Sequence, residues 1–259
     1  MIFIKSAEEI ELLRESNLLV GKTLGEVAKH IRPGISTLEL DRIAEGFIRS
    51  NGAEPGFKGY GGFPNTLCIS VNEVVVHGIP SADCILKDGD IVSVDCGTIK
   101  NGYYGDSAYT FEVGEVSDEV HRLLVTTKES LYKGIEKAVS GSRLGDIGYA
   151  IQSHCEAAGY SVVRELCGHG VGKELHEDPQ VLNYGRKGQG SKLKEGMVIA
   201  IEPMITLCDK KIYMDQDGWS IFTADRLPAA HFEHTMAIGK HSADILSSFE
   251  YVEDVLRNR

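Results

Sequence analysis

Apolar positions recur at helical spacing in four stretches, with short β-branched runs between them. Ile10, Leu13, Val20, Leu24, Val27 and Ile31 follow a capping-box pattern, Ser6 with Glu9, and Arg32-Pro33-Gly34 stops the helix they predict. Ser36 with Glu39 opens a second helix carrying Leu40, Ile43, Phe47 and Ile48, closed at Asn51-Gly52. A glycine-rich loop over 56–64 leads to strand-like runs at 68–71, 74–76 and 91–94, and Asn101-Gly102 predicts a two-residue hairpin turn. Residues 118–140 and 143–158 read as another helix pair, ended by Gly141 and Gly159. Strands are expected again at 198–207 and 229–238.

This order repeats. Residues 87–95 match residues 194–202 at an offset of 107 (202 − 95), with Asp95 opposite Glu202. The same offset pairs Gly34 with Gly141, Leu40 with Ile147, Ile48 with Cys155 and Gly52 with Gly159. One offset that holds through helices and strands points to duplication rather than to chance likeness between amphipathic helices. The expectation is an α/β protein, one domain over 1–259 built from two similar halves, with Asp95 and Glu202 facing each other across a central site.

Charge narrows the partners. Lys and Arg number 27 against 38 Asp and Glu, a net charge of −11, so neither nucleic-acid phosphates nor an anionic membrane would be attracted. No stretch approaches the ~18 uninterrupted apolar residues of a membrane span. The first nine residues lack the pattern of a secretory signal, and a cytoplasmic protein is expected. The six cysteines are scattered with no C-x-x-C pair, which argues for reduced, mostly buried thiols and against a zinc ribbon.

The chemistry gathers at strand ends. With Asn101 and Gly102 at the turn, Asp95 faces Ala108, two positions from Asp106, so both carboxylates share one face of the hairpin. Two ionised carboxylates at ~4 Å repel by about 4 kcal/mol at an effective dielectric near 20. A shared proton, a basic side chain or a metal must offset that, and no basic residue lies nearby in the strand pattern. Glu202 also ends an apolar strand, and Glu233 adds a fourth acid. His169 lies between glycines in Gly168-His169-Gly170, which permits close backbone approach. His176 and His77 lie in His176-Glu177-Asp178-Pro179 and Val76-His77-Gly78. Four carboxylates and one imidazole form a hard ligand set suited to Mn, Fe or Co, and their charge would neutralise two divalent cations. Two such ions ~3.5–4 Å apart can activate a water and polarise a carbonyl together. His30, His121, His154, His234 and His241 read as structural.

The ordered set Asp95, Asp106, His169, Glu202 and Glu233 resembles the type I methionine aminopeptidases. So do residues 68–73 before Val76-His77-Gly78-Ile79-Pro80, and so do Gly168-His169-Gly170-Val171-Gly172, residues 176–181, Ile201-Glu202-Pro203-Met204 and Glu233-His234-Thr235. The resemblance spans almost the whole chain. It implies the pseudo-two-fold pita-bread fold, a mostly antiparallel curved sheet flanked by two helix pairs. It implies that Asp106 and Glu233 bridge two metals (Co, Mn, Fe or Zn), that Asp95 chelates one, and that His169 with Glu202 holds the other. Glu202 would also exchange a proton with the attacking water, and His77 and His176 would contact the scissile peptide. Tyr60, Phe63, Cys68 and Trp219 would line a methionine pocket, and carbonyls of Asn72, Val74 and Ala229 would hold a monovalent cation. The implied substrate is the initiator methionine of nascent proteins with a small second residue, taken by a monomer in transient contact with the ribosome. Ala200, where the family carries Thr or Ser, and Phe57, Gly61 and Leu175 depart from its pattern.

An Xaa-Pro aminopeptidase or prolidase is the alternative on the same fold. Those enzymes carry a long extra N-terminal domain and a further histidine upstream of Gly-His-Gly, where this chain has Glu165-Leu166-Cys167. The type II methionine aminopeptidases insert a helical segment between the positions of His169 and Glu202, and the 33 residues here (202 − 169) leave no room for it. A metal-free binding module on this fold should have lost ligands, and all five are present.

Overall fold

In the computed structural model, which describes residues 1–258, Ser6 Oγ accepts the Glu9 N–H while Glu9 accepts that of Ser6, and this capping box opens α1 (Ala7–Ala28). At α2 (Thr37–Ser50) Ser36 Oγ accepts the Glu39 N–H without a return bond from the Glu39 side chain, and Ser117 caps α3 (Asp118–Ile135). Helix α4 is Leu144–Ala157. Helix α3 ends five residues before the expected 140, and the chain turns there to bring Ser140 N–H to Gly239 O. A short amphipathic helix, α5 (Glu250–Arg257), and the strand Ala243–Ile245 were not apparent from the pattern, because each is too short to show a period.

Strands Ile91–Lys100 and Tyr103–Glu112 form the expected hairpin, with Asp95 opposite Ala108 and Gly97 opposite Asp106. Leu67–Val71 flanks it. The curved sheet is divided into four antiparallel sheets of four, three, three and five strands. The divisions fall at the chemistry. The run 198–207 breaks at Glu202-Pro203, and 229–238 breaks at Phe232-Glu233, so each acid leaves one ladder before the next begins. Residues Val198–Ile201 and His234–Ile238 pair in the five-stranded sheet; Met204–Thr206 and Ala229–His231 pair in another.

The 107-residue offset recurs in the geometry. Helices α2 and α4 each have 14 residues (144 − 37 = 107), and Gly34, Gly141, Gly52 and Gly159 all have positive φ. The isolated bridges Ser36 to Ile85 and Arg143 to Lys192 match at both ends. The main core joins Leu24, Leu40, Ile48, Leu131 and Ile147 of the helices to Val94, Phe111, Ile201 and Phe232 near the site. Each such fully buried side chain contributes about 1.5–3 kcal/mol. No helix among the described residues is long and apolar enough to cross a membrane.

Candidate metal centre

Each acid is held by partners distant in sequence. Asp106 N–H donates to Asn17 Oδ1 of α1, and Thr235 Oγ1 donates to Asp106 O at 2.8 Å. Gly105 makes that approach possible, since a Cβ there would lie 2.6 Å from Ser16 backbone. Glu233 N–H donates to Ala108 O, and Ser107 Oγ donates to Glu233 O at 2.6 Å, which stitches the hairpin to the C-terminal strands. Asn183 Nδ2 donates to Glu202 O at 2.9 Å, beside Pro203. Thr235, the cross-strand partner of Ala200, supplies the hydroxyl at this edge.

These restraints bring Asp95, Asp106, His169, Glu202 and Glu233 to one cleft of about 290 Å³. Ligand atoms of Asp106, His169 and Glu233 lie within 4.8 Å of one another. His169 Nε2 stands 3.6 Å from Asp106 Oδ2 and 3.6 Å from Glu202 Oε1. Two atoms each ~2.1 Å from one ion lie roughly 3–4 Å apart, so these separations suit shared coordination. Asp95 Oδ1, Asp106 Oδ1 and Glu233 Oε1 are buried with no hydrogen-bond partner, and no Lys or Arg lines the cleft. Burial pushes the Asp95 carboxyl up to about 7 and that of Glu202 up to about 8. Asp106 and Glu233 rise well above the usual range, through burial first and their acidic neighbours second. Burial lowers His169 to about 3, which keeps the imidazole neutral and able to ligate. The donor set fits divalent cations: it holds unpaired oxygens and a neutral nitrogen, and lacks a counter-charge.

The remaining predicted side chains surround this cluster. His176 Nδ1 is 2.8 Å from Tyr60 Oη, and its ring lies edge-on to His169 at 4.3 Å. A buried Lys5–Glu177 ion pair at 2.6 Å anchors the loop that carries His176. His77 has φ of +59°, costing about 1–3 kcal/mol, and burial lowers its pKa to about 4. Gly78 holds that bend, because a Cβ there would lie 2.2 Å from Ile69 O. Phe63, Cys68 and Trp219 line the apolar end, Phe63 and Trp219 edge-to-face at 5.2 Å. Phe57 and Leu175, two of the departures from the family pattern, pack with Phe63 and Cys68. Gly61 leaves space beside Trp219, whose ring would be 3.4 Å from a Cβ.

Val76, Leu166, Cys167 and Met204 also line the cleft, and His231 lies close to Glu202. Only adjacency to Gly168-His169 marks Cys167 in the sequence; the others look like ordinary strand residues. The six cysteines are free, with Cys68, Cys96 and Cys155 buried and Cys208 exposed.

Gly168 tests the architecture. A Cβ there would lie 2.3 Å from Ala200 O, so Gly168→Ala should push Gly168–Gly170 away from Val198–Ile201 and part His169 from Glu202. The expected result is a loss of roughly 1–3 kcal/mol in chemical denaturation and at least about 10-fold weaker Mn²⁺ binding by calorimetry. Unchanged stability and affinity would show that the strands tolerate separation.

A family profile described as metallopeptidase family M24 matches residues 11–240. A methionine aminopeptidase of Clostridium acetobutylicum is 52% identical over 250 residues, covering 96% of this chain and 100% of that protein. The crystal structure of methionine aminopeptidase from Rickettsia prowazekii is similar with a TM-score of 0.94 at 41% identity, covering 96% of this chain and 100% of that one. The prolidase from Pyrococcus furiosus shows a lower likeness, TM-score 0.78 and 27% identity, covering 95% of this chain and 66% of its own.

Proposed function

Since the chain belongs to metallopeptidase family M24, we propose that it is a methionine aminopeptidase, a metal-dependent hydrolase that removes the N-terminal methionine of peptides and nascent proteins with a small second residue. The observation that carries the reading is the meeting of three acids and a histidine with unpaired Glu233, all bordering an apolar pocket. The 52% identity over nearly the full chain favours it over the proline-specific alternative. We read the two halves as repeats of one unit, supported by the matched helices and bridges.

In this reading two divalent ions would be held by Asp106 and Glu233 in common, one of them also by Asp95 and the other by His169 with Glu202. Bound there, the ions would supply Lewis acidity and an activated water. Glu202 would take the proton of the attacking water and pass it to the leaving amine. His77, ahead of the cluster in sequence, and His176, between His169 and Glu202, donate hydrogen bonds to the substrate carbonyl as charge develops on it. Tyr60 Oη fixes the ring of His176. Phe63, Cys68 and Trp219, with Tyr60 at the rim, receive the methionine side chain; each sulfur–aromatic contact is worth ~0.3–1.5 kcal/mol. The reading includes a monovalent cation at the carbonyls of Asn72, Val74 and Ala229, segments joined by the Ala229 N–H bond to Asn72 O at 3.0 Å.

Release of methionine from Met-Ala-Ser, compared with Ala-Pro peptides, tests this function. Turnover of Met-Ala-Ser should fall at least about 100-fold on exhaustive chelation and return with Mn²⁺ or Co²⁺, while Ala-Pro peptides stay intact. Equal activity after chelation would refute the metal requirement, and preferential cleavage of Ala-Pro would restore the alternative.

A further inference from the structure

His231 lies outside the residues that line the cleft, yet it is 1% exposed and its Nε2 is buried with no hydrogen-bond partner. A buried polar group left unpaired costs about 1–3 kcal/mol, so its retention calls for a partner. Two carboxyl groups face it: Asp95 acts on it electrostatically, and Glu202 Oε2 stands 3.5 Å from His231 Nε2, at the edge of hydrogen-bonding range. The other oxygen, Oε1, faces His169 Nε2 at 3.6 Å. The carboxylate is thus bracketed by two imidazoles, one inside the cleft and one behind it.

The backbone at 231 is fixed. His231 N–H donates to Thr110 Oγ1 at 3.0 Å, Thr110 Oγ1 donates to His231 O at 2.6 Å, and Thr110 Oγ1 also lies 2.8 Å from Ser93 Oγ. Asn183 holds only the Glu202 carbonyl, so the carboxylate needs a separate support.

We propose that His231 is a positioning residue for Glu202, its Nε2–H directed at Oε2 so that Oε1 stays turned toward His169 and the metal centre. Closing the 3.5 Å separation by a few tenths of an ångström would bring the pair into ordinary N–H···O range. The inference rests on the metallopeptidase reading. Because His231 does not reach the cleft, it acts through Glu202 and not on the substrate.

The test compares His231→Leu with His231→Gln in the full chain. In the Leu variant the metal-free protein should still fold and melt close to the wild-type temperature, because leucine fills the same buried space. Its Mn²⁺ dissociation constant, by calorimetry, should rise roughly 10–100-fold, and the visible spectrum of the Co²⁺-loaded protein should change. On Met-Ala-Ser kcat should fall by a similar factor with KM within about 2-fold. The Gln variant, whose amide can donate from the same side, should recover affinity and kcat to within several-fold. Wild-type affinity and turnover in the Leu variant overturn the inference. So does a metal-free Leu variant that fails to fold, which would make His231 a packing residue, and so does a Gln variant as impaired as Leu. If wild-type protein leaves Met-Ala-Ser uncut, the peptidase reading fails, and the Mn²⁺ and Co²⁺ comparisons still decide the role of His231.

Discussion

Glu202→Ala is expected to lower kcat on Met-Ala-Ser by at least about 10³-fold while the metal-free protein stays folded. On the proposed reading the loss has two sources: the proton carrier is removed, and with it an oxygen that stands 3.6 Å from His169 Nε2 and would ligate beside it. Glu202→Gln separates them, since the amide keeps the shape and the acceptor oxygen but cannot take a proton. Gln should recover part of the metal affinity and little of the turnover. Stability should move the other way. Burial raises the Glu202 carboxyl to about 8, so the wild-type side chain is destabilising at neutral pH without a cation, and its removal should leave the melting temperature equal or higher. Turnover in Glu202→Ala within 10-fold of wild type would end the proton-transfer role.

The second large effect is the pH dependence of the metal-free protein. Asp95 and Glu202, at about 7 and about 8, sit above their ordinary values of 3.8 and 4.5, and Asp106 and Glu233 are displaced in the same direction. Above pH 4.5 the folded chain therefore holds protons that the unfolded chain has released, and stability falls as pH rises toward and through the folded values. The buried imidazoles act oppositely. His169 at about 3 and His77 at about 4 lie below 6.5, so lowering the pH below 6.5 favours the unfolded chain. The acid contribution is isolated above about pH 7.5, a unit beyond the ordinary histidine value, where these imidazoles are essentially neutral in both states. The melting temperature of chelated protein should decline from about pH 7.5 to 8.5, and Glu202→Ala should flatten that decline. Mn²⁺ at about 100 times its dissociation constant adds about 2.7 kcal/mol, or roughly 5–10 °C. A flat or rising profile in the chelated protein would show that these acids are already ionised and paired.

Much of this arrangement is legible locally. Ser6, Ser36 and Ser117 cap helices through their own hydroxyls, and Asn101-Gly102 sets the hairpin register that places Asp95 and Asp106 two residues apart across the ladder. Carboxylates that end apolar runs are visible as misfits, and the flanking glycines of His169 signal close packing before any contact is known. His231 and Asn183 carry no such mark. Each looks like a polar residue in a strand or loop until Glu202 is placed beside it, and that neighbour is 29 (231 − 202) or 19 (202 − 183) residues away. The short strands around 168–170, 177–181 and 212–223 were equally silent, since three to five residues are too few to reveal a two-residue period.

By itself the chain determined its helices, its hairpin register, its 107-residue offset and the five side chains proposed as ligands, because capping, turn chemistry and alternation act over a few residues. Tertiary structure alone decided that Asp106 and Glu233 share a wall, that the sheet breaks at Glu202 and at Glu233, and that two imidazoles bracket one carboxylate. Those outcomes depend on hydrogen bonds such as Asn17 to Asp106, Thr235 to Asp106 and Ser107 to Glu233, between segments 89 to 129 residues apart. Only the packed core holds such segments in register, and no local preference encodes their meeting.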